Sequence, residues 1–299
     1  MKEATRAAYE EAILRVQMHM HDTLDEPFDA NEIASVAGFS KFHLSRLFTA
    51  MTGESLLEYR RRLLLERAAH SLLYRPRSVV DLSAEAGYEA QEAFTRAFSR
   101  LYGVPPGEYR RKLRSAMRHR LDTIQAKSKL YTLSLTIDEG GAKKMDVKFE
   151  KHDNLKVAFI RHTGPYEQSG EAWNRLCAAP GIAGRIGPDT LFLSLCYDDP
   201  DVTEQGKTRM DVCVTVDDSY EEEPGIKTQN IPGGEFAVVV YKGAYTGLHD
   251  AYRAIYGDWL PKSGREPAGS FSMEIYHTDC ASTSPDENIT EIRIPLLDK

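Results

Sequence analysis

The chain has 299 residues, 41% of them hydrophobic, and a formal net charge of −7. That length supports two domains with cores of their own. No apolar run approaches the ~18 residues of a membrane span and no basic-then-apolar leader opens the chain, so a soluble, cytoplasmic protein without a membrane partner is expected. The charge is unevenly placed. Residues 41–120 carry 16 Lys+Arg against 8 Asp+Glu, whereas 121–299 carry 19 against 29. A basic N-terminal part suits a phosphate backbone, although a solvated basic face would look the same by charge alone. Cys177, Cys196, Cys213 and Cys280 form no CxxC pair, so small core residues are expected of them, and neither metal nor cofactor.

Taken in order, residues 5–23 predict a helix with Ala8, Ala12, Val16 and Met20 near one face. His19 and His21 lack the HExxH spacing of a zinc protease. Asp29-Ala-Asn-Glu32 reads as a capping box. It opens a stretch, IASVAGFSKFHLSRLFTAMTGESLLEYRRRL (33–63), that returns as LSAEAGYEAQEAFTRAFSRLYGVPPGEYRRKL (82–113) with one residue inserted after Tyr88. Each copy is a short helix, a glycine turn and a longer helix, the plan of a helix-turn-helix. The units span about 30–51 and 79–101. In the first longer helix Leu44, Leu47, Phe48 and Met51 form the inward stripe, and Phe42, Ser45, Arg46 and Thr49 face outward. In the second, Phe94, Ala97, Phe98 and Leu101 face inward, and Glu92, Thr95, Arg96 and Ser99 outward. Small hydroxyls around one arginine suit base edges and phosphates; two helical hairpins with no DNA role would share the inward stripe.

Ser55-Leu-Leu-Glu58 is a second capping box, opening a helix over 55–74 that Arg75-Pro76 stops. About 20 residues at 1.5 Å give a rod of roughly 30 Å, close to the roughly 34 Å between successive major-groove faces. Arg60, Arg61 and Arg62 on it suit phosphate or ordinary charged surface equally. Ser78-Val-Val-Asp81 starts the second unit, and Pro105-Pro106 a closing helix through about Arg118. Residues 119–145 read as a linker, with Tyr131 to Ile137 as a short strand.

Beyond 146 the pattern changes. Strand-like runs fall at 147–150, 155–162, 190–197, 209–216, 235–242, 269–277 and 289–295, with helical segments near 166–178 and 246–259. This part also repeats: VAFIRHTGPY followed by Trp173 resembles FAVVVYKGAY followed by Tyr252. Two β-α-β-β halves about a pseudo-twofold would leave a cleft between them. Aligning LFLSLCY (191–197) with SFSMEIY (270–276) sets Tyr197 against Tyr276 and Leu195 against Glu274. Such a glutamate is solvent-facing, or paired with Arg209 or Arg293, or a desolvated anion waiting for a lipophilic cation.

Residues 8–113 resemble the DNA-binding domain of AraC/XylS-type transcription regulators, on Gly87-Tyr88, Phe94, Arg96, Phe98, Gly103, Pro105-Pro106 and Tyr109-Arg110. The resemblance implies DNA contacts from Phe42, Ser45 and Arg46, then Gln91, Glu92, Thr95 and Arg96, with Lys41 and Thr49 completing the expected set. Relatives commonly carry Trp at Phe42 and Gln at Ser45 and Glu92, so the resemblance implies the mode of binding and not the target sequence. Residues 147–297 resemble the gyrase-inhibitor-like effector-binding domain, on Thr163-Gly-Pro-Tyr166, Tyr197-Asp-Asp-Pro200, Ile231–Ala237, Trp259–Gly264 and Met273-Glu-Ile-Tyr276. In that family the glutamate of the last motif, here Glu274, lies in the ligand cleft. Tyr166, Trp259, Tyr245, Phe192 and Tyr276 are its expected walls, each otherwise an ordinary core residue.

The expectation is thus a multidomain α and α+β chain. An all-α double helix-turn-helix domain fills 1–118, and a pseudo-twofold β-α-β-β duplicated effector-binding domain 146–299. It predicts a ligand-responsive regulator, not an enzyme, that binds double-stranded DNA and senses an amphipathic cation. RNA polymerase recruitment, as an activator, is implied by the resemblance. The alternatives are a hydrolase of reactive electrophiles with Glu274 as base, and a protein-docking module.

Overall fold

Helix boundaries in the N-terminal part follow from side-chain caps. In the computed structural model, which describes residues 3–75, 77–113, 132–133, 135–137, 143–268, 271–278 and 282–297, α1 spans Glu3–Asp22, α2 Ala30–Ala37 and α3 Lys41–Thr52. The rod α4 is Leu56–Tyr74, followed by α5 (Val79–Glu85), α6 (Gln91–Tyr102) and α7, helical over 106–113. Ser40 accepts from the His43 amide, while Ser55/Glu58 and Ser78/Asp81 each form both arms of a capping box. Asp29 caps α2 through the Asn31 amide instead, and Glu32 lies 3.4 Å from His19, so the box expected there is half formed. The turns need left-handed backbone: Gly38 and Gly87 sit at φ 71° and 75°, where a β-carbon is disfavoured.

The chain divides into two units, Met1–Arg111 and Lys112–Lys299. In the first, the repeat is a repeat of packing. Phe48 meets Tyr59 edge-on at 5.4 Å, and Phe98 meets Tyr109 edge-on at 5.3 Å, each locking a recognition helix to the helix after it. Arg60 donates to the carbonyls of Leu24 and Glu26, and Arg110 to those of Leu72 and Arg77. Each arginine clamps the chain that enters its own hairpin. Arg62 is 7% exposed, bridging Glu54 (2.7 Å) and Glu66 (3.1 Å). The structure therefore assigns Arg60 and Arg62 to the fold and leaves only Arg61 of that trio on the surface. The inward stripes are shorter than periodicity suggests: Leu44, Phe48, Phe94 and Phe98 are buried, but Met51 and Leu101 at the helix ends are exposed, as is Ala8 on α1.

In the second unit, strands β1 (Thr132–Leu133), β2 (Leu135–Ile137) and β3 (Lys143–Met145) precede two matching halves; Tyr131 and most of 119–145 lie outside the described residues. The first half is β4 (Lys148–His152), β5 (Leu155–Thr163), α8 (Gly170–Ala178), α9 (Pro180–Ala183), β6 (Phe192–Cys196) and β7 (Arg209–Thr215). The second is β8 (Lys227–Ile231), β9 (Gly234–Lys242), α10 (Leu248–Ala254), α11 (Leu260–Ser263), β10 (Ser272–Tyr276) and β11 (Ile289–Pro295). A π-helical turn, Ile255–Trp259, joins α10 to α11. Strand β8 was not predicted: Lys-Thr-Gln-Asn-Ile has no apolar alternation, and as the outermost strand of the sheet it needs none.

All strands but β2 and β3 form one sheet in the order β1-β9-β11-β10-β6-β7-β5-β8, with β4 also on β9. The leading strands are exchanged. β4 runs into β5 but pairs with β9, and β8 runs into β9 but pairs with β5. The halves meet where β6 and β10 run antiparallel with Ser194 opposite Glu274. On one face, the α8 side packs Ala158, Ile160, Leu176 and Val212, and the α10 side Ala237, Val239, Ala251 and Ile292. The other face is also buried, through Phe159, Leu193, Met273 and Ile275. No helix among the described residues is long and apolar enough to cross a membrane.

Candidate DNA-reading faces and effector cleft

In α3, Lys41, Phe42, Ser45, Arg46 and Thr49 are all exposed, Phe42 to 83%. An aromatic ring left that open on a stable helix has no packing role in the unit. In α6, Gln91, Glu92 and Arg96 are exposed and Thr95 half-buried. Phe42, Arg46 and Thr49, and Glu92 and Arg96, fall on the side of their helix away from Leu44/Phe48 and Phe94/Phe98; Ser45 and Thr95 flank that side, and Lys41 and Gln91 open the first turn nearer the buried stripe.

The seam between the halves of the second unit carries the other candidate. Glu274 is 4% exposed and forms no ion pair among the described residues. Arg209 is taken by Asp198 at 2.7 Å and Arg293 by Glu291. Neither the solvent-facing nor the ion-paired arrangement is therefore realised. The carboxylate is held by neutral donors instead: the Tyr276 hydroxyl at 2.7 Å on Oε2 and the Cys196 thiol at 3.7 Å on Oε1. The Tyr252 hydroxyl, from α10, is buried near the carboxylate and has no hydrogen-bond partner. Burial pushes the Glu274 carboxyl above its ordinary value, and these donors only partly offset that.

The strand register corrects the internal alignment. Met273, not Glu274, pairs with Leu195, and successive side chains alternate between faces. Elements ahead of the seam repeat at 79 positions (Lys148 to Lys227), but β7 and β11 at 80 (Arg209 to Ile289). One extra residue before β10 slips the register, so the counterpart of Glu274 is Ser194. A slip of one moves every side chain to the other face. The counterpart of Tyr276 is then Cys196, and both contact the carboxylate.

Of the expected walls, Tyr276 and Tyr245 come together, rings edge-on at 5.4 Å. Phe192 joins through Trp173, which lies 6.4 Å from it and edge-on to Tyr276 at 5.7 Å. Tyr166 packs on the α8-side core that includes Cys196, and its hydroxyl donates to the Asp198 carbonyl at 2.7 Å. Trp259 packs by Phe149 at 6.1 Å over the α10-side core. Trp173, Tyr252, Tyr256 and Cys196 were missed as site residues. Tyr256 stacks on Tyr252 and shares a hydrogen bond with Ser272. The equivalence of Trp173 and Tyr252 in the internal repeat was the available signal, since paired aromatics on the two helices must flank the seam.

Asp199, Asp201 and His249 also lie close together. Asp201 already accepts two hydrogen bonds from Arg253, at 2.7 and 2.5 Å, so its charge is compensated within the chain.

Because the folded-state acidity of Glu274 is weakened, the sign of its contribution follows. An acid whose pKa is raised by folding stabilises the fold below its unfolded value and loses that contribution as pH rises through the folded value. Glu274→Gln should therefore match wild type near about pH 4 and have the higher Tm at pH 7–8 without ligand. Trp173 and Trp259 are the only tryptophans and both lie in the second unit, so their fluorescence reports it. Parallel Tm–pH curves for the two proteins would count against this.

Residues 145–297 match the GyrI-like small molecule binding domain family, and 33–112 a helix-turn-helix domain family. The transcriptional regulator Rob of Salmonella typhimurium is 26% identical over 287 residues, covering 91% of this chain and 93% of that one. Regulatory protein SoxS of the same organism is 34% identical over 90 residues, 30% of this chain and 84% of SoxS. YbfP of Bacillus subtilis, an uncharacterized HTH-type transcriptional regulator, is 38% identical over 102 residues; the match spans 34% of this chain and only 35% of YbfP. The chain belongs to the AraC-type helix-turn-helix transcription regulators that carry a C-terminal GyrI-like small molecule binding domain.

Proposed function

We propose that this regulator reads a promoter through α3 and α6 and is controlled by an amphipathic organic cation bound beside Glu274. The observation that carries the effector class is the buried carboxylate with no cation within reach among the described residues. A desolvated anion held only by hydroxyl and thiol donors is left with uncompensated charge, and aromatic rings around it favour a flat or lipophilic cation. Ligand control requires that the effector bind the DNA-competent state more tightly, with reciprocal coupling between the two sites.

Calorimetric titration of the full chain with tetraphenylphosphonium tests this. Wild type is expected to bind, and Glu274→Gln to weaken binding by about 2–5 kcal/mol, the cost of removing one partner of a buried charge pair. Equal affinities would remove Glu274 from the site.

On the DNA side, Lys41, Phe42, Ser45, Arg46 and Thr49 form one contact set and Gln91, Glu92, Thr95 and Arg96 the other, on domain bounds of 1–118 and 146–299. Their exposure and the basic balance of 41–120 support this. Glu92 is an acid among phosphates, acceptable beside a cytosine amino group or a water, which makes α3 the principal reader. Arg46→Ala and Arg96→Ala should each cost about 1–3 kcal/mol on the specific site. Gel-shift titration at fixed salt measures it, and unchanged affinity would sink the assignment. RNA polymerase is the partner expected on the promoter.

A further inference from the structure

Cation binding leaves one feature of the cleft unused. Cys196 Sγ donates to Oε1 of Glu274 at 3.7 Å, and Tyr276 holds Oε2 of the same carboxylate at 2.7 Å while lying 3.0 Å from Ser194 Oγ. A nucleophilic atom, a base within reach of its proton and a third group orienting that base are the parts of an activated nucleophile. Buried Cys213, by contrast, donates to the Asp211 carbonyl on the opposite face of the sheet. Two hydroxyls near this group are also unfilled. Thr290, 0% exposed and paired in register with Tyr276, has no hydrogen-bond partner for its Oγ1, and neither has Tyr252 for its hydroxyl. Buried orphans of this kind point to a polar group still to be supplied. A planar molecule carrying a carbonyl would offer both an acceptor for them and a flat surface for Trp173 and Tyr245.

We propose that the cleft also captures planar α,β-unsaturated carbonyl compounds, with Cys196 adding to them and Glu274 acting as its base; this rests on the cleft being the ligand site. The sulfur–carbon bond forms at the β-carbon, and the carbon–carbon π pair moves onto the carbonyl oxygen as an enolate. The thiol proton passes to Glu274 Oε1. It then returns to the α-carbon as the carbonyl reforms. The net change is addition of S–H across C=C, with no oxidant or reductant. Burial and the adjacent carboxylate keep the resting thiol protonated, so it is inert towards reagents in bulk water. Only an electrophile seated in the cleft meets nucleophile and base together. The product is one thioether per chain, a lasting occupant of the cleft rather than a turned-over substrate.

The test uses the full-length chain with Cys177→Ala and Cys280→Ala, treated with N-phenylmaleimide, and followed by intact mass and peptide mapping. The expected result is one adduct per chain, on Cys196, absent in Cys196→Ser, and formed about 100-fold more slowly in Glu274→Gln, within the range for loss of a general base. Equal rates in Glu274→Gln, or modification of Cys196 and Cys213 in parallel, would overturn it, the latter because it signals general opening of the fold. Tetraphenylphosphonium binding without Cys196 labelling sinks this proposal and leaves the cation reading standing. Glu274-dependent labelling without cation binding does the reverse.

Discussion

Asp211→Ala should destabilise the effector-binding unit by about 3–5 kcal/mol, the range for leaving a buried charge without its partner. Asp211 is fully buried and accepts from both ends of the Arg161 guanidinium, from the Tyr197 hydroxyl at 2.8 Å and from Gln229 at 2.9 Å. The Arg161 guanidinium also lies 4.7 Å over the Tyr197 ring. Removing the carboxylate strands a buried guanidinium and frees Gln229, which belongs to the exchanged strand β8. Urea unfolding followed by tryptophan fluorescence measures this unit alone, and a loss under about 1 kcal/mol would show that water or a rearranged partner replaces Asp211. The double change Arg161→Met with Asp211→Leu should cost less than Asp211→Ala, because no orphaned charge remains.

Arg62→Ala should act on the other unit with similar force, about 3–5 kcal/mol. It leaves Glu54, in the turn after α3, and Glu66, one turn on along α4, facing each other without a cation. The Arg62 guanidinium also covers the Tyr59 ring at 5.0 Å, and that ring is what α3 packs on. The first unit has no tryptophan, so circular dichroism at the helical band reports it while fluorescence reports the second. The helical transition should move and the fluorescence transition should not. Arg62→Lys should recover part of the loss, since one ammonium cannot engage both carboxylates as the planar fork does. A helical transition unmoved by Arg62→Ala would be the failure.

The helical half was legible because its information is local. Caps at Ser40, Ser55 and Ser78, glycines at the turns, and a 3.6-residue period each act within one or two turns of chain. What was misjudged there depended on distant partners: Met51 and Leu101 keep the period but run past the core that would cover them, and Arg60 and Arg62 gave no hint of the carbonyls and carboxylates they meet. In the second half, strands with apolar faces were visible, while β8, polar and outermost, was not. Glu274 was singled out as an exception in its repeat, but residue pattern alone favoured exposure or an ion pair; its burial entered only as one alternative and through the family resemblance, and of the groups that hold it Tyr276 was expected and Cys196 was not. The off-by-one register is of the same kind. A single added residue changes nothing in the pattern of types, yet it decides whether serine or leucine answers Glu274 across the seam.

The traded strands β4 and β8 make this unit a swapped dimer tied into one chain. Each half lends its first strand to the outer side of the other's sheet, so neither half owns a complete set of pairings. Severing the backbone between β7 and β8 would yield two fragments that fold only as a one-to-one complex. The carboxylate cleft, built on the β6–β10 junction, would exist only in that complex. Occupancy of the proposed Glu274 site would therefore stabilise the union of the two halves as a whole, by mass action on a single cooperative transition, and would raise the cost of opening even the outermost strand.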